Sequence, residues 1–424
     1  MYHDFRALDP SKYMDEVSPG RVATVVVAAV DSSLQARAQA DFVCDGVNDH
    51  VEIRAALAIL PAAGGKVMLS EGNFSIAATI SLSTNVILSG EGSATILKLA
   101  NSADTDVLEM PRNANESAIE SLSIDGNKAN NALGSGIVAK GFLWKPRLRD
   151  IIIRDCPAHG VFFTSDVAED IYLPVLINIV SNTAGQHGFL LGNTVDIDGF
   201  MLFAEGNGDA GAWLGVGGGG IFRLHIFDSL GGAGLFCANW TNRLSLIAPI
   251  FETNHQNGAI IEGEGISIIG GHSFDNGVDA VNTHDGIVIL GDKNFVIGHQ
   301  SNNAWAAPPP QRYGINVSGD DNIISENQLE GNLTGAILDT GARNVTKDNK
   351  GYVTENRGTA TIAAGAVTAV VAHGLTAAPT NVTWGATTDT VGRRIWWSAD
   401  AANITFTIDS IHTAGITLNW KAEV

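Results

Sequence analysis

The sequence predicts an all-β protein: a long single-stranded parallel β-helix, led by a short capping helix and followed by a small antiparallel β-sandwich. Three observations carry this. Glycine recurs at a period near 24 through the middle of the chain, short apolar runs lie just upstream of those glycines, and no helical period intervenes. The glycines that open an apolar-x-apolar triplet are Gly136, Gly160, Gly188, Gly211, Gly234, Gly258, Gly286, Gly314 and Gly335, in successive steps of 24, 28, 23, 23, 24, 28, 28 and 21. Strands that short, joined by Gly/Asn/Asp turns, suit a solenoid in which each strand pairs with its equivalent one coil later.

Composition agrees. The 424 residues hold 48 Gly with no G-X-Y period, are 45% hydrophobic and only 17% charged, which excludes collagen and disorder. Lys+Arg 25 against Asp+Glu 45 gives a net charge of −20, which repels phosphate backbones and anionic lipid surfaces, so neither nucleic acid nor a membrane is an expected partner. The apolar run at 22–30 is too short for a span of ~20 residues. The stretch 1–19 carries Asp4, Arg6, Asp9, Lys12, Asp15 and Glu16 and has no apolar h-region, so no signal peptide is expected. Cys44, Cys156 and Cys237 lie far apart without metal-ligand spacing and read as reduced core thiols.

In chain order, residues 1–40 read as an N-terminal extension and first strand, 41–352 as the β-helix, and 353–424 as the β-sandwich, either a trimerisation unit or a carbohydrate-binding tip. Val51, Ile53, Ala56, Leu57 and Leu60 stand at near-helical spacing behind Asn48 or Asp49 as N-cap, forming the cap that a solenoid end needs. Phe203, Phe227, Phe251 and Phe274 are spaced 24, 24 and 23 and are expected to stack inward, coil on coil. Beyond 358, apolar alternation at ~10-residue spacing marks the antiparallel strands. Four of the eight tryptophans, Trp384, Trp396, Trp397 and Trp420, fall there, and at least two are expected to be buried.

Residues 40–99 contain Asp45-Gly46 with Asp49, then Gly64-Gly65-Lys66-Val67, Glu71-Gly72-Asn73-Phe74 and Ser89-Gly90-Glu91-Gly92. This succession resembles the opening of the pectate-lyase-like right-handed β-helix superfamily, above all bacteriophage tailspikes and polysaccharide depolymerases. The Asp-Gly-Asn turn within 121–130 fits the same pattern, and the segment around His373-Gly374-Leu375 and Pro379 is similar to tail-fibre tips. The resemblance implies a homotrimer acting on a bacterial polysaccharide (capsule, exopolysaccharide or O-antigen), located in a virion tail or released from a lysed host, and needing no cofactor. A particle-binding head, usual in tailspikes, is not expected in the stretch 1–40 ahead of the helix.

One residue downstream of the phenylalanines stand Ala204, Asp228, Glu252 and Asp275, with Glu205 one further on. Carboxylates on successive coils would lie ~4.8 Å apart, and such stacking raises at least one pKa unless it is compensated. Glycoside hydrolysis uses two carboxyl groups, ~5 Å apart in retaining and ~6.5–9.5 Å in inverting enzymes. Glu205, Asp228, Glu252 and Asp275 are thus the candidate catalytic residues. Plain turn chemistry competes, because Asp favours turns, and an oxygen-rich column also suits a structural Ca²⁺; no dedicated metal motif is present. Trp213, Trp240 and Trp305 offer faces for sugar rings, with His255 and Arg154 as polar neighbours in substrate binding. Longer units at 164–174, 277–285 and 301–312 are expected to wall the groove.

Endo-acting hydrolysis is the leading expectation. A polysaccharide lyase of the same fold is second, although no Lys or Arg base is evident, and a non-catalytic glycan-receptor fibre is the remaining alternative. The pectinase motif set is absent apart from Gly271-His272-Ser273 and Asp320-Asp321, and no Asp-Pro-His epimerase motif occurs. The stretch 215–220, GVGGGG, lacks a P-loop Lys and reads as a turn.

Overall fold

The structure is a computed structural model that describes residues 24–165, 169–303, 310–390 and 392–424. The chain winds into a right-handed-type parallel β-solenoid of about 11 turns, with two small antiparallel sheets near the C-terminus. Every coil hydrogen-bonds the next in parallel. The series runs from Thr24–Ala28 against Gly65–Leu69 to Ile323–Ser325 against Val345–Lys347, and one continuous apolar core fills the bore.

The glycine repeat has a steric cause. Gly136, Gly160, Gly188, Gly211, Gly234, Gly258, Gly286 and Gly314 occupy one station, immediately before the paired residues Ile137, Val161, Phe189, Ala212, Leu235, Ala259, Ile287 and Ile315. None has a positive φ. A Cβ at Gly188, Gly234 or Gly286 would lie 2.8, 2.6 or 2.7 Å from the carbonyl oxygen of the glycine one coil on, so a side chain there would force the coils apart. The ninth expected glycine, Gly335, stands one residue early, and Ala336 holds its station.

Each central coil has three faces separated by single residues in the left-handed region. Along one corner run Lys145, Leu173, Asp196, Gly218, Arg243, Gly265, Lys293, Asp321 and Arg343; along the second Asp150, Asn178, Met201, Arg223, Ala248, Gly270, Gly298 and Glu326; along the third Asp155, Thr183, Gly206, Asp228, Thr253 and Asp275. Gly, Asn and Asp recur because they tolerate this conformation. The corner at Gly218, flanked by Gly219, bends the long strand Ala212–Phe227, so GVGGGG is a bent strand and not a turn between strands. Behind the third corner a buried ladder of Asn207, Ser229, Asn254 and Asn276 links coils, with Asn254 accepting from the Ser229 N–H and Asn276 from the Asn254 side-chain amide.

The phenylalanine ladder is not the inward column. The paired inward residues are Ala204, Ile226, Phe251, Ser273 and Ser301; only Phe251 of the four phenylalanines lies inside, at 0% exposure. The coil from Ala204 to Ile226 and that from Phe251 to Ser273 are shorter than the coil from Ile226 to Phe251, so a constant step of 24 slips the register by one or two positions. A one-residue slip turns a strand side chain to the opposite face.

At the N-terminal end a helix spans His50–Ala58 and buries Ile53 and Ala56. Its Asp49 does not cap it through the side chain; both carboxylate oxygens accept elsewhere, from the backbone N–H of Gly46 and of Ser75. A second short helix, Leu34–Gln39, was not expected. All three cysteines are free and buried; burial pushes the Cys156 thiol up to about 12. Among the described residues no helix is long and apolar enough to cross a membrane. The C-terminal unit pairs Glu355–Ile362, Ile416–Glu423 and Asn381–Ala386 in one sheet, and Thr368–Ala372, Asn403–Ile408 and Ile395–Ala399 in the other. Trp420 is in its core, Trp384 and Trp397 pack against that core, and Trp396 is 49% exposed.

Candidate active site

The third face carries the chemistry. Its outward residues form two columns: Val180, Phe203, His225, Ile250, His272 and Gln300, and beside it Arg154, Asn182, Glu205, Phe227, Glu252, Phe274 and Asn302. The expected carboxylate column therefore splits. Glu205 and Glu252 share an outward column with Phe227 between them, two rungs or ~10 Å apart along the axis. Asp228 and Asp275 belong to the third corner together with Thr253, where each donates its backbone N–H to the next coil, Asp228 to the Glu252 carbonyl and Asp275 to that of Asn302. Asp275 is 2% exposed and presents almost no surface to a glycan.

Glu252 is the best-defined group. Its carboxylate accepts from His272 Nε2 at 2.8 Å and lies 3.4 Å from His225 Nε2, so one imidazole from the preceding coil and one from the following coil flank it. Its side chain is 18% exposed, open on the outward side only. Burial holds the His225 imidazole below its ordinary pKa despite the nearby Glu252. Phe203 meets His225 edge to face at 4.9 Å, and Phe274 stacks on His272 at 4.5 Å. The outward phenylalanines thus fix the imidazoles.

A second cluster sits on the adjoining turn. His255 places Nδ1 2.6 Å from Asp279 and Nε2 3.3 Å from Asp228. Each ring nitrogen thus faces a carboxylate oxygen from a different segment. Like charges across these coils are thereby separated by histidine. His225 and Asp279 had not been identified from the sequence. A signal for His225 exists in the repeated tetrad His225-Ile226-Phe227-Asp228 and His272-Ser273-Phe274-Asp275, whose two copies lie two coils apart and bracket Glu252.

The other expected residues disperse. Arg154 pairs with Asp125 at 3.4 Å, an acid that Lys98 also approaches. Trp213 stands on the first face, where Ala212–Leu214 pairs with Leu235–Cys237, and lies 5.4 Å from Trp240 in the turn that follows Cys237, across the coil's own turn from the Glu252 face. Trp305 lies outside the described residues, as does part of two of the expected wall loops. Among the described residues, a cluster able to offer a metal three ligands is Cys44, Asp49 and Glu52, at the N-terminal cap and remote from this face. Its thiol is a poor ligand for a hard cation such as Ca²⁺.

This geometry can move protons. A carboxylate hydrogen-bonded to an imidazole is a proton donor–acceptor pair, and a second carboxyl stands on the same column two rungs away, slightly beyond the inverting separation when measured along the axis.

No family model and no curated protein matches the sequence. Solved structures do. The A-module of mannuronan C-5 epimerase AlgE6 from Azotobacter vinelandii superposes with a TM-score of 0.56 at 17% identity, covering 72% of this chain and 96% of that one. Tailspike protein 2 of the Escherichia coli O157:H7 bacteriophage CAB120 gives 0.53 at 14%, covering 81% and 54%; ORF18 of Geobacillus virus E2 gives 0.50 at 20%, covering 86% and 73%. The chain has the parallel β-helix fold that phage tailspikes and alginate epimerases share.

Proposed function

We propose that the protein is a tailspike-like depolymerase that hydrolyses glycosidic bonds of a bacterial surface polysaccharide, with Glu252 and Glu205 as its carboxyl pair. The observation that carries this is the Glu252 carboxylate between His225 and His272 on an outward face. In the inverting form one carboxylic acid protonates the glycosidic oxygen while the other carboxylate activates water. Asp228, held by His255, is the alternative partner. The test is reducing-end release from capsule or O-antigen. Glu252→Gln should lower the rate by about 100-fold or more, and Glu205→Gln should do so to a similar degree; unchanged rates in both would refute the pair.

One observation favours elimination or epimerisation as a second reading. Arg223 is exposed and lines, with His225 and Phe203, a depression of ≈ 150 Å³. A guanidinium there would neutralise a uronate carboxylate while the neutral His225 imidazole takes the C5 proton; in elimination the C4–O bond then breaks, leaving a C4=C5 double bond and a protonated leaving oxygen, and in epimerisation a proton returns to the opposite face of C5. An unsaturated product with strong ultraviolet absorbance marks elimination; its absence, with free reducing ends, marks hydrolysis. Tight binding with no product would instead favour the receptor-fibre reading.

A homotrimer in a virion tail belongs to the same proposal. The outward column Ile177, Phe200, Phe222, Ile247, Ile269 and Ile297 is apolar over six consecutive rungs, and Phe200 and Phe222 stack at 5.2 Å while exposed. Such a stripe in a chain of −20 charge supports burial between copies. Sedimentation of Phe222→Asp should give a smaller species than the wild type.

A further inference from the structure

On the first face, around the turn from Glu252, a cavity of ≈ 390 Å³ is lined by Trp213, Phe236 and Ile260 on one side and by His187, Asp209 and Gln256 on the other. Trp213 and Phe236 stack nearly parallel at 6.3 Å, 15° apart, on consecutive coils, and Trp240, 57% exposed, leans over Trp213. Trp213 and Phe236 make an apolar ledge in the cavity, and Trp240 abuts Trp213 outside its lining. Opposite it stand hydrogen-bonding groups of three chemistries: a carboxylate, an imidazole with Nε2 3.9 Å from that carboxylate, and an amide.

Each group is held in place. Asp209 Oδ1 accepts from the Ala210 N–H, leaving Oδ2 toward His187 and the cavity. His187 is stacked on His159 at 5.3 Å and 9°, with Nδ1 on the Ala210 carbonyl, so its ring cannot swing. Gln256 is tied to the Gly231 carbonyl at 2.8 Å. The floor is made of Gly231 and Gly232, and a Cβ at Gly232 would meet Asp209 Oδ1 at 2.5 Å. Any larger residue would close the space beside the acid.

We propose that this cavity is a second glycan site, separate from the Glu252 cluster, which holds an uncharged pyranose of the polymer without cleaving it. A pyranose has an apolar C–H face for the aromatic ledge and an edge of hydroxyls for the carboxylate, imidazole and amide. The Asp209 carboxylate and the −20 charge of the chain disfavour an anionic sugar. Among the described residues no second carboxyl group lines the cavity, so the two-carboxylate chemistry is not provided for there. Two grips on one long chain raise the effective concentration of polymer at the cleaving face, so the site favours cleavage of chains long enough to span both over that of short fragments.

Saturation-transfer NMR on the full chain, with cellohexaose, mannohexaose and chitohexaose as probes, tests the proposal. At least one probe should bind the wild type and Glu252→Gln alike, and binding should fall about tenfold in Trp213→Ala and in Asp209→Asn, the second of which keeps the Oδ1 acceptor and hence the fold. Trp213→Phe should retain most of it. On the enzymatic side, Trp213→Ala should raise KM for intact polysaccharide several-fold more than for short fragments. Absence of any Trp213-dependent saturation transfer would overturn the proposal. A change in sedimentation of Trp213→Ala would overturn it too, since the face would then be a subunit contact. Glu252→Gln keeps these outcomes apart from failure of the hydrolase reading, because it bears on cleavage alone.

Discussion

Four phenylalanines at nearly equal spacing should respond unequally to truncation. Phe251 is wholly enclosed between Ile226 and Ser273 in the inward column, whereas Phe203, Phe227 and Phe274 face outward and are partly exposed. A buried aromatic removes ~150–250 Å² from water, which at ~25 cal/mol/Å² amounts to about 4–6 kcal/mol as an upper bound; truncations of this kind cost about 3–5 kcal/mol. Phe203 and Phe274 keep part of their surface in water and lose, besides, one ring contact each with His225 and His272, so about 1–2 kcal/mol is expected. Thermal unfolding of the four Phe→Ala variants, in one buffer and at one scan rate, should therefore rank Phe251 well below the other three. Equal losses at all four positions would refute the register and restore the inward ladder.

Three further outcomes follow from the same structure. Gly234→Ala should destabilise by about 1–3 kcal/mol, seen as a lowered unfolding temperature, because its Cβ would stand 2.6 Å from both the Gly258 carbonyl and the Asn254 amide. Thr253 is β-branched in the left-handed region at φ 48 with its hydroxyl unpartnered; Thr253→Asn should stabilise by about 1 kcal/mol, and a fall in denaturant midpoint would contradict this. Acid should weaken the fold below neutrality. In the unfolded chain an imidazole takes up its proton near pH 6.5, whereas burial holds His159 and His299 down to about 4, so protonation across that window favours unfolding by roughly 3 kcal/mol per histidine at the acid end. The stability these neutral rings contribute is complete above pH 6.5 and lost on the way to pH 4; His299→Gln should flatten the fall.

The sequence showed the solenoid because a steric rule acts at every coil: eight of the nine glycines noted stand where a side chain would strike the next coil. It hid the register, because the coils are of unequal length, short from Ala204 to Ile226 and longer from Ile226 to Phe251, while the eye follows their mean. Glu252 and Glu205 both face outward in the actual register. Asp228 and Asp275 stand at the third corner instead, where residues suited to corner geometry look like one column when written in a line. The two histidines on Glu252 become visible only once the His-x-Phe-Asp tetrads are aligned two coils apart. No spacing rule would have brought Asp279 to His255, because a turn and not a strand delivers it.

The single-residue corners also bear on how such a chain can change. Each corner is closed by one residue whose backbone N–H reaches only the next coil, so the three faces are set locally, coil by coil. Extra residues between 277 and 285 leave the pairing of Ala259–Ile261 with Ile287–Ile289 in register. Loops beside the groove can therefore lengthen, shorten or be exchanged without moving the carboxyl and imidazole groups on the strands. Sequence change at the turns thus alters what borders the outward face while the groups carried by the strands keep their places, one coil at a time.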